Sequence, residues 1–561
     1  MAAIRVAAAL ALVESVLITR LMSYGLLSQY REGAVANAIL VLATTLVANL
    51  SSLIVWWTVI NPTIRSPFQH LPRPTVSPEN KHTSINPKFL TSFQWLLLRV
   101  AFTRHPRTAF LSYLSASIPN NGILALWGIV RYRLLLTTTD VTTELLVHRA
   151  YDFTKLANIR QFMTHLLGSG LVVLEGEPHK ILRKSSLQAF GHRQVQSLYP
   201  AMWDKALSFV GEMEKDISRT GGVVDMASWA YKVTVDVIGI AVLGRDFDSL
   251  RKPDDALIEN YKRAIGPGLR LYRILAVWLS FEFVQKLPWG KNRVFNESTA
   301  VMKEICRETV LRRKKEIIKA KRGTGKDEVS GDILSQLIKT SDLSDVELAD
   351  QLLTYLIAGH DTTQSAFLWA CYLLTKHPEW QKTLREEIRN GLLTNQNDLR
   401  VGDRLEKLAV LNGVVHETLR LYPVIPVTSR VAVRDTMLGG VPIPKGTEVL
   451  VSPWVINHAV EAWGETAGDF DPARWIDADG RPNTHGGARS MYDFATFLHG
   501  PRSCIGMQFA KAELRCLIAA LVSRFEWELA MADEDVVPGG VISITPLKGL
   551  RLKLRKVGDG D

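Results

Sequence analysis

Cysteine is scarce in this sequence: 561 residues hold four, Cys306, Cys371, Cys504 and Cys516. No two of them stand in a C-x-x-C pair, so a disulfide framework and a compact zinc site are both excluded. The bulk of the chain is therefore expected in a reducing compartment. A G-x-G-x-x-G turn between a strand and a helix is also missing, which leaves the chain without a flavin or dinucleotide fingerprint of its own. No internal repeat appears at solenoid periods. A basic arm interleaved with aromatics is lacking too: the net charge of +11 and pI near 9.3 come from Lys and Arg scattered among acids. That pattern gives no support to a nucleic-acid partner and leaves anionic lipid or an acidic protein.

What the sequence does have begins with an apolar end. Residues 33–60 carry no charged side chain and at helical rise would reach roughly 40 Å, more than the ~30 Å core of a bilayer. They read as an uncleaved transmembrane anchor, with Trp56 and Trp57 at the interface. Residues 6–30 form a possible second span that contains Glu14 and Arg20. Arg65, Arg73, Lys81 and Lys88 follow, and such a basic flank places the rest of the chain on the cytosolic side. Residues 61–87 hold six prolines from Pro62 to Pro87 and read as a hinge. The remainder, 88–561, reads as one large folded domain.

Helical periodicity dominates that unit, with few strand signals, so a mainly α fold with small β-sheets is expected. A strand leading into a helix is predicted over Val130 to His148, and a hairpin about Gly439 and Gly440 within Thr428 to Ser452. One helix can be bounded closely. Ser344 and Glu347 match a capping box, and apolar residues continue to Leu374 before His377 and Pro378 forbid further helix.

The middle of that helix is odd. Ala358, Gly359, His360, Asp361, Thr362 and Thr363 put a glycine, a carboxylate and two hydroxyls into an apolar run. Gly359 would let something flat approach the backbone, while a threonine bonded to the preceding turn would give only a tolerated bend. Glu417 and Arg420 lie three apart, a spacing common among surface ion pairs worth a few tenths of a kcal/mol. The segment 'FLHGPRSCIG', Phe497 to Gly506, sets a thiol between two glycines just before helical periodicity resumes at Met507. A helix N-terminus favours a thiolate there, which could serve as a nucleophile, a zinc ligand or a haem ligand. Zinc lacks a compact partner set, a nucleophile needs a positioned base, and only haem accounts for the other motifs as well.

From about Pro62 to its end the chain resembles the cytochrome P-450 family of haem-thiolate monooxygenases. Phe497, Gly500, Arg502, Cys504 and Gly506 match its F-x-x-G-x-R-x-C-x-G loop, and Ala358, Gly359, Asp361, Thr362 and Thr363 match [AG]-G-x-[DE]-T-[TS]. E-x-x-R is met by Glu417 and Arg420, and F-x-P-x-R-[FW] by Phe470, Pro472, Arg474 and Trp475. The resemblance implies the cytochrome P-450 fold behind its anchor, with haem b bound through the Cys504 thiolate. It implies Asp361 and Thr362 as a distal proton relay, and Glu417, Arg420 and Arg474 as a structural charged cluster. His179, Arg183, Arg430, Arg502 and Phe497 would contact the cofactor, although His179 stands where tryptophan is common.

The resemblance further implies electrons from NADPH through a flavoprotein reductase, and a lipophilic small molecule as substrate. It places the protein in the endoplasmic reticulum membrane with its catalytic unit facing the cytosol. A basic face that includes Lys511 and Arg515 would receive the reductase, unless these are merely solvated charges. The 'SPFQHLPRP' hinge and 'AYDF' are similar to membrane-bound fungal members, many of which tailor terpenoids, polyketides or alkaloids. Hydroxylation of fatty acids or xenobiotics is the alternative within that chemistry. An oxygen-independent haem-thiolate isomerase or dehydratase, or a non-catalytic haem-binding protein, is the alternative outside it. The apolar stretch from Leu269 to Leu287 would either dip into the membrane or pack in the core.

Overall fold

The computed structural model describes residues 34–55, 67–68, 70–72, 121–127, 132–252, 254–278, 280–322, 331–393, 400–540 and 543–558. The chain divides into two units, 1–99 with 118–135 and 100–117 with 136–561. In the first, Ala34–Val55 is one helix of 22 residues, about 33 Å at helical rise. The strand Ile123–Trp127 belongs to the same unit, where the Ala125 amide donates to the Pro72 carbonyl. The expected second span over 6–30 and most of the 61–87 hinge lie outside the described residues.

The second unit is mainly helical with small sheets, as expected. Its longest central helix is Asp345–Lys376, capped by Ser344, whose hydroxyl accepts from the Glu347 amide while Glu347 accepts from the Ser344 amide. Pro378 then ends it, because the residue before a proline is pushed out of the helical region. Helices Met226–Ile238, Gly290–Lys321 and Met507–Arg524 pack around it, which explains why its apolar residues are not confined to one stripe. Gly359 marks the closest approach: a Cβ there would sit 2.5 Å from the Ile238 Cδ1. The expectation that Gly359 admits a flat group is corrected, since its missing side chain admits a neighbouring helix.

The Gly-Gly hairpin is present. Thr436–Leu438 pairs with Val441–Ile443 across Gly439 and Gly440, both at positive φ. Outside it, Thr428–Ala432 pairs antiparallel with Glu448–Val451 and with Phe153–Thr154, and this brings the Arg430 backbone opposite Val449. A second sheet joins Arg551–Lys556 to Phe525–Leu529 and Val223–Asp225. The strand and helix expected over 130–148 are Tyr132–Leu136 and Thr139–Thr143.

The stretch Met226–Leu243 is apolar enough to cross a membrane by length and composition, yet 72 % of it is buried within the protein. It is a core helix. The 269–287 stretch folds as Arg270–Trp278 and Phe281–Lys286; Phe281 stacks edge-on to Phe162 in the core, whereas Leu271 and Phe283 are exposed.

Candidate functional site

The thiol loop gets its shape from backbone that few sequences would adopt. Leu498 and Gly500 both have positive φ, and a Cβ on Gly500 would lie 2.1 Å from the Leu146 carbonyl oxygen, so only glycine fits there. The Cys504 amide donates back to the Phe497 carbonyl at 2.8 Å and closes the loop. Cys504 is the only accessible thiol of the four.

The dipole of Met507–Arg524 was expected to hold this thiol as an anion. The structure places Cys504 three residues before that helix, with the Gly506 N–H and the Arg183 charge beside the thiol.

Cations gather beside the loop. Arg183 grips it directly, donating to the Ser503 carbonyl at 2.7 Å and the Ser503 hydroxyl at 3.0 Å. Arg502 donates to Glu175 at 2.8 and 2.5 Å and also to the Ala150 carbonyl. Lys155 shares Glu175 at 3.3 Å. Burial alone would raise the Glu175 carboxyl, but Lys155 and Arg502 hold it below the usual range. Arg430, 4 % exposed, donates among the described residues only to its own strand, at Thr428 and Ser429, and burial next to Arg502 pulls it down to about 10. His179 is buried and its Nδ1 has no partner among the described residues; burial, then Lys155 and Arg502, lower it to about 4. Three cations, Lys155, Arg430 and Arg502, thus act on one carboxylate, with the neutral His179 beside them. Lys155 and Glu175 were not singled out from sequence, because they carry no motif and meet the others only in the fold.

On the long helix, Ala358 is exposed although its neighbours before Ile357 and after Gln364 are buried. Thr362 Oγ1 lies on the same turn and donates to the Ala358 carbonyl at 2.7 Å. Asp361 points elsewhere: its Oδ2 accepts from the Ser543 hydroxyl at 2.6 Å, and burial raises its carboxyl against the pull of Ser543 and Arg273.

Glu417 and Arg420 are no surface pair. Both are fully buried and bonded twice, at 2.8 and 2.7 Å, and Glu417 also accepts from Trp475 Nε1, Arg474 Nε and the Asp471 amide. The cluster reaches the thiol loop through Asn457, which bonds the Arg420 carbonyl, the Thr496 hydroxyl and the Ala495 amide.

A family model described as cytochrome P-450 matches residues 90–550. The chain belongs to the cytochrome P-450 family. It is 37 % identical over 510 residues to the cytochrome P-450 monooxygenase sphH of Aspergillus fumigatus, covering 89 % of this chain and 90 % of that one. It is 36 % identical over 452 residues to the cytochrome P-450 monooxygenase ptmK of Penicillium ochrochloron, covering 78 % and 87 %. This cytochrome P-450 is therefore an oxidoreductase of a monooxygenase family, for which haem with thiolate ligation and a redox partner are general. The residues present fit such a group: an accessible thiol, a backbone turn left open at Ala358, and a surplus of cations with an orphaned buried nitrogen at His179, suited to two carboxylates.

The basic docking face is corrected for two of its residues. Lys511 and Arg515 are buried, because Met507–Arg524 is covered from Lys511 to Val522. Arg515 donates to Asn412 and the Tyr199 hydroxyl, and Lys511 is pushed down to about 7 by burial beside Arg515. Arg515→Ala should therefore leave the apparent reductase affinity unchanged and cost stability, about 1.5–3 kcal/mol for each hydrogen bond lost to a charged group. Titration with reductase and thermal inactivation would check both; weakened reductase binding at unchanged stability would contradict the burial argument.

Proposed function

We propose that this chain is a membrane-anchored haem monooxygenase that inserts one atom of dioxygen into a lipophilic small molecule, as a tailoring step on a fungal terpenoid, polyketide or alkaloid. Cys504 is its iron ligand, and the carrying observation is that this is the one accessible thiol, in a loop gripped by Arg183 and closed onto Phe497. Haem b, once bound, supplies the dioxygen chemistry. The chain's own part is to hold the cofactor's carboxylates with His179, Arg430 and the cations around Glu175, to shape the pocket, and to deliver protons. Burial raises the Asp361 carboxyl above its ordinary range, the direction that suits a proton donor. The Thr362 hydroxyl, on the open turn, hands protons on. Arg502 and Phe497 hold the loop, and Glu417, Arg420 and Arg474 hold what the loop stands on.

The anchor over 33–60 fits an endoplasmic reticulum site with the catalytic unit in the cytosol, supplied by an NADPH-dependent flavoprotein. Incubating membranes with NADPH, reductase, isotopically heavy dioxygen and an extract of the source organism lacking the gene tests the reading. One metabolite should gain a single heavy oxygen; conversion without NADPH would favour an isomerase or dehydratase instead. Thr362→Ala should raise NADPH used per product formed severalfold with an unchanged carbon monoxide spectrum, and full coupling would remove Thr362 from the relay.

A further inference from the structure

A cavity of about 220 Å³ is lined by Ser228, Tyr231, Lys232, Ser249, Ile258 and Lys262, none of them part of the site described above. Its polar wall comes from three places in the chain. Ser228 and Lys232 stand one turn apart on Met226–Ile238, Lys262 stands on Ala256–Ile265, and Ser249 lies on the turn between these helices. No carboxylate lines it. Neither Lys232 nor Lys262 forms an ion pair or a hydrogen bond among the described residues. Each ammonium lies over an aromatic ring instead, Lys232 over Trp229 at 4.8 Å and Lys262 over Tyr231 at 4.7 Å.

Ser249 is the part of this wall that points to a ligand. It is 3 % exposed, it lines the cavity, and its hydroxyl has no hydrogen-bond partner among the described residues. A hydroxyl so buried normally has one. The turn that carries it is fixed from below: Asp248 takes a φ of +52°, its amide donates to Asp246 at 2.9 Å, and the Ser249 and Leu250 amides donate to Asp236 at 2.7 and 3.3 Å. Asp236, buried behind the turn, is occupied by these amides and by Lys205.

Every polar side chain of the wall can donate, and the two ammonium groups can do nothing else, since a lysine has three donors and no acceptor. Two like charges on one cavity repel, and an anion between them turns that repulsion into attraction. A phosphate monoester, with close to two negative charges near neutrality, matches the pair. We infer that this cavity binds a phosphate group, held between Lys232 and Lys262, with the Ser228 and Ser249 hydroxyls donating to its oxygens. The space takes a tetrahedral oxyanion together with water or a short ester. A bound phosphate would tie Met226–Ile238 to Ala256–Ile265 and to the turn between them. The inference is independent of the roles of Cys504 and Asp361. The phosphate belongs either to a soluble ester or to a lipid headgroup, and competition separates the two.

The test is equilibrium dialysis of the full haem-loaded chain in detergent against labelled inorganic phosphate, with ionic strength held constant by chloride. Saturable binding is expected. Lys232→Met and Lys262→Met should each weaken it by about tenfold or more, the effect of losing a hydrogen bond from a charged group, and Ser249→Ala should weaken it severalfold. Lys315→Met removes an equal charge from an exposed position of Gly290–Lys321 and should change nothing. All four variants should keep the parent's carbon monoxide spectrum. Absence of saturable binding in the parent, or equal binding by the parent and both cavity lysine variants, overturns the inference. So does an equal loss in Lys315→Met, because binding would then follow net charge alone. Vesicles of phosphatidylcholine with phosphatidic acid, set against phosphatidylcholine alone, name the source. Displacement of the label by the acidic vesicles assigns the site to a lipid headgroup, and retention assigns it to a soluble phosphate ester.

Discussion

Cys504→Ala is expected to give a folded protein whose reduced carbon monoxide complex has none of the thiolate-type absorbance of the parent, and whose monooxygenase activity is gone. The fold should survive because little of the loop depends on the thiol. Its turns are set by Leu498 and Gly500, its closure is the backbone bond from residue 504 to Phe497, and Arg183 holds Ser503. The spectrum should not survive, because no other sulfur can substitute. Cys306, Cys371 and Cys516 are buried, and burial pushes all three thiols up, Cys306 to about 12. Nor can dipole or neighbours supply an anion at 504 once the thiol is removed. Cys504→Ser, nearly isosteric, should lose the same band while keeping the loop. The measurement is a difference spectrum on matched amounts of haem-loaded protein, and an unchanged band in the alanine variant would sink the assignment of the ligand.

The parts of this molecule that could be read ahead of the fold are those whose cause is local. A capping box and a proline bound Asp345–Lys376 because they act on backbone within one turn. Two glycines fix the hairpin between Leu438 and Val441, and the order of the charged motifs marks the thiol loop. What could not be read is which surface each helix meets. Lys511 and Arg515 look like solvent residues in sequence, yet their helix is buried on every side, and Leu514, Cys516 and Leu517 already break any single apolar stripe. Gly359 has the right residue type for a flat neighbour, but only the packing shows that Ile238 occupies that space. Lys155, Glu175 and Ser543 come from separate parts of the chain, and no spacing rule joins them to Arg502 or Asp361.

Glu417 is the case where that difference carries the most energy. As an exposed pair three residues apart, Glu417 and Arg420 would contribute a few tenths of a kcal/mol. Buried, the carboxylate accepts from Arg420 twice and from Trp475, Arg474 and Asp471, so removing its charge leaves the buried Arg420 guanidinium without its counter-charge. Breaking a buried pair on one side costs about 3–5 kcal/mol, roughly a fifth or more of the ~5–15 kcal/mol that a typical domain has. Glu417→Gln should therefore shorten the thermal half-life of the haem-loaded chain by two orders of magnitude or more, at about 1.4 kcal/mol per factor of ten in rate if the cost falls on the unfolding barrier. Arg474→Ala should cost less, since Arg474 is partly exposed and its bond to Glu417 is 3.3 Å. The loss should also reach the thiol loop. Arg420 holds the Asn457 and Ala467 carbonyls, and Asn457 in turn holds Ala495 and Thr496, the residues that lead into Phe497. The thiolate-type band should then decay before the helical signal does. If Glu417→Gln instead loses both signals together at the parent's rate, the buried cluster is not what holds the thiol in place.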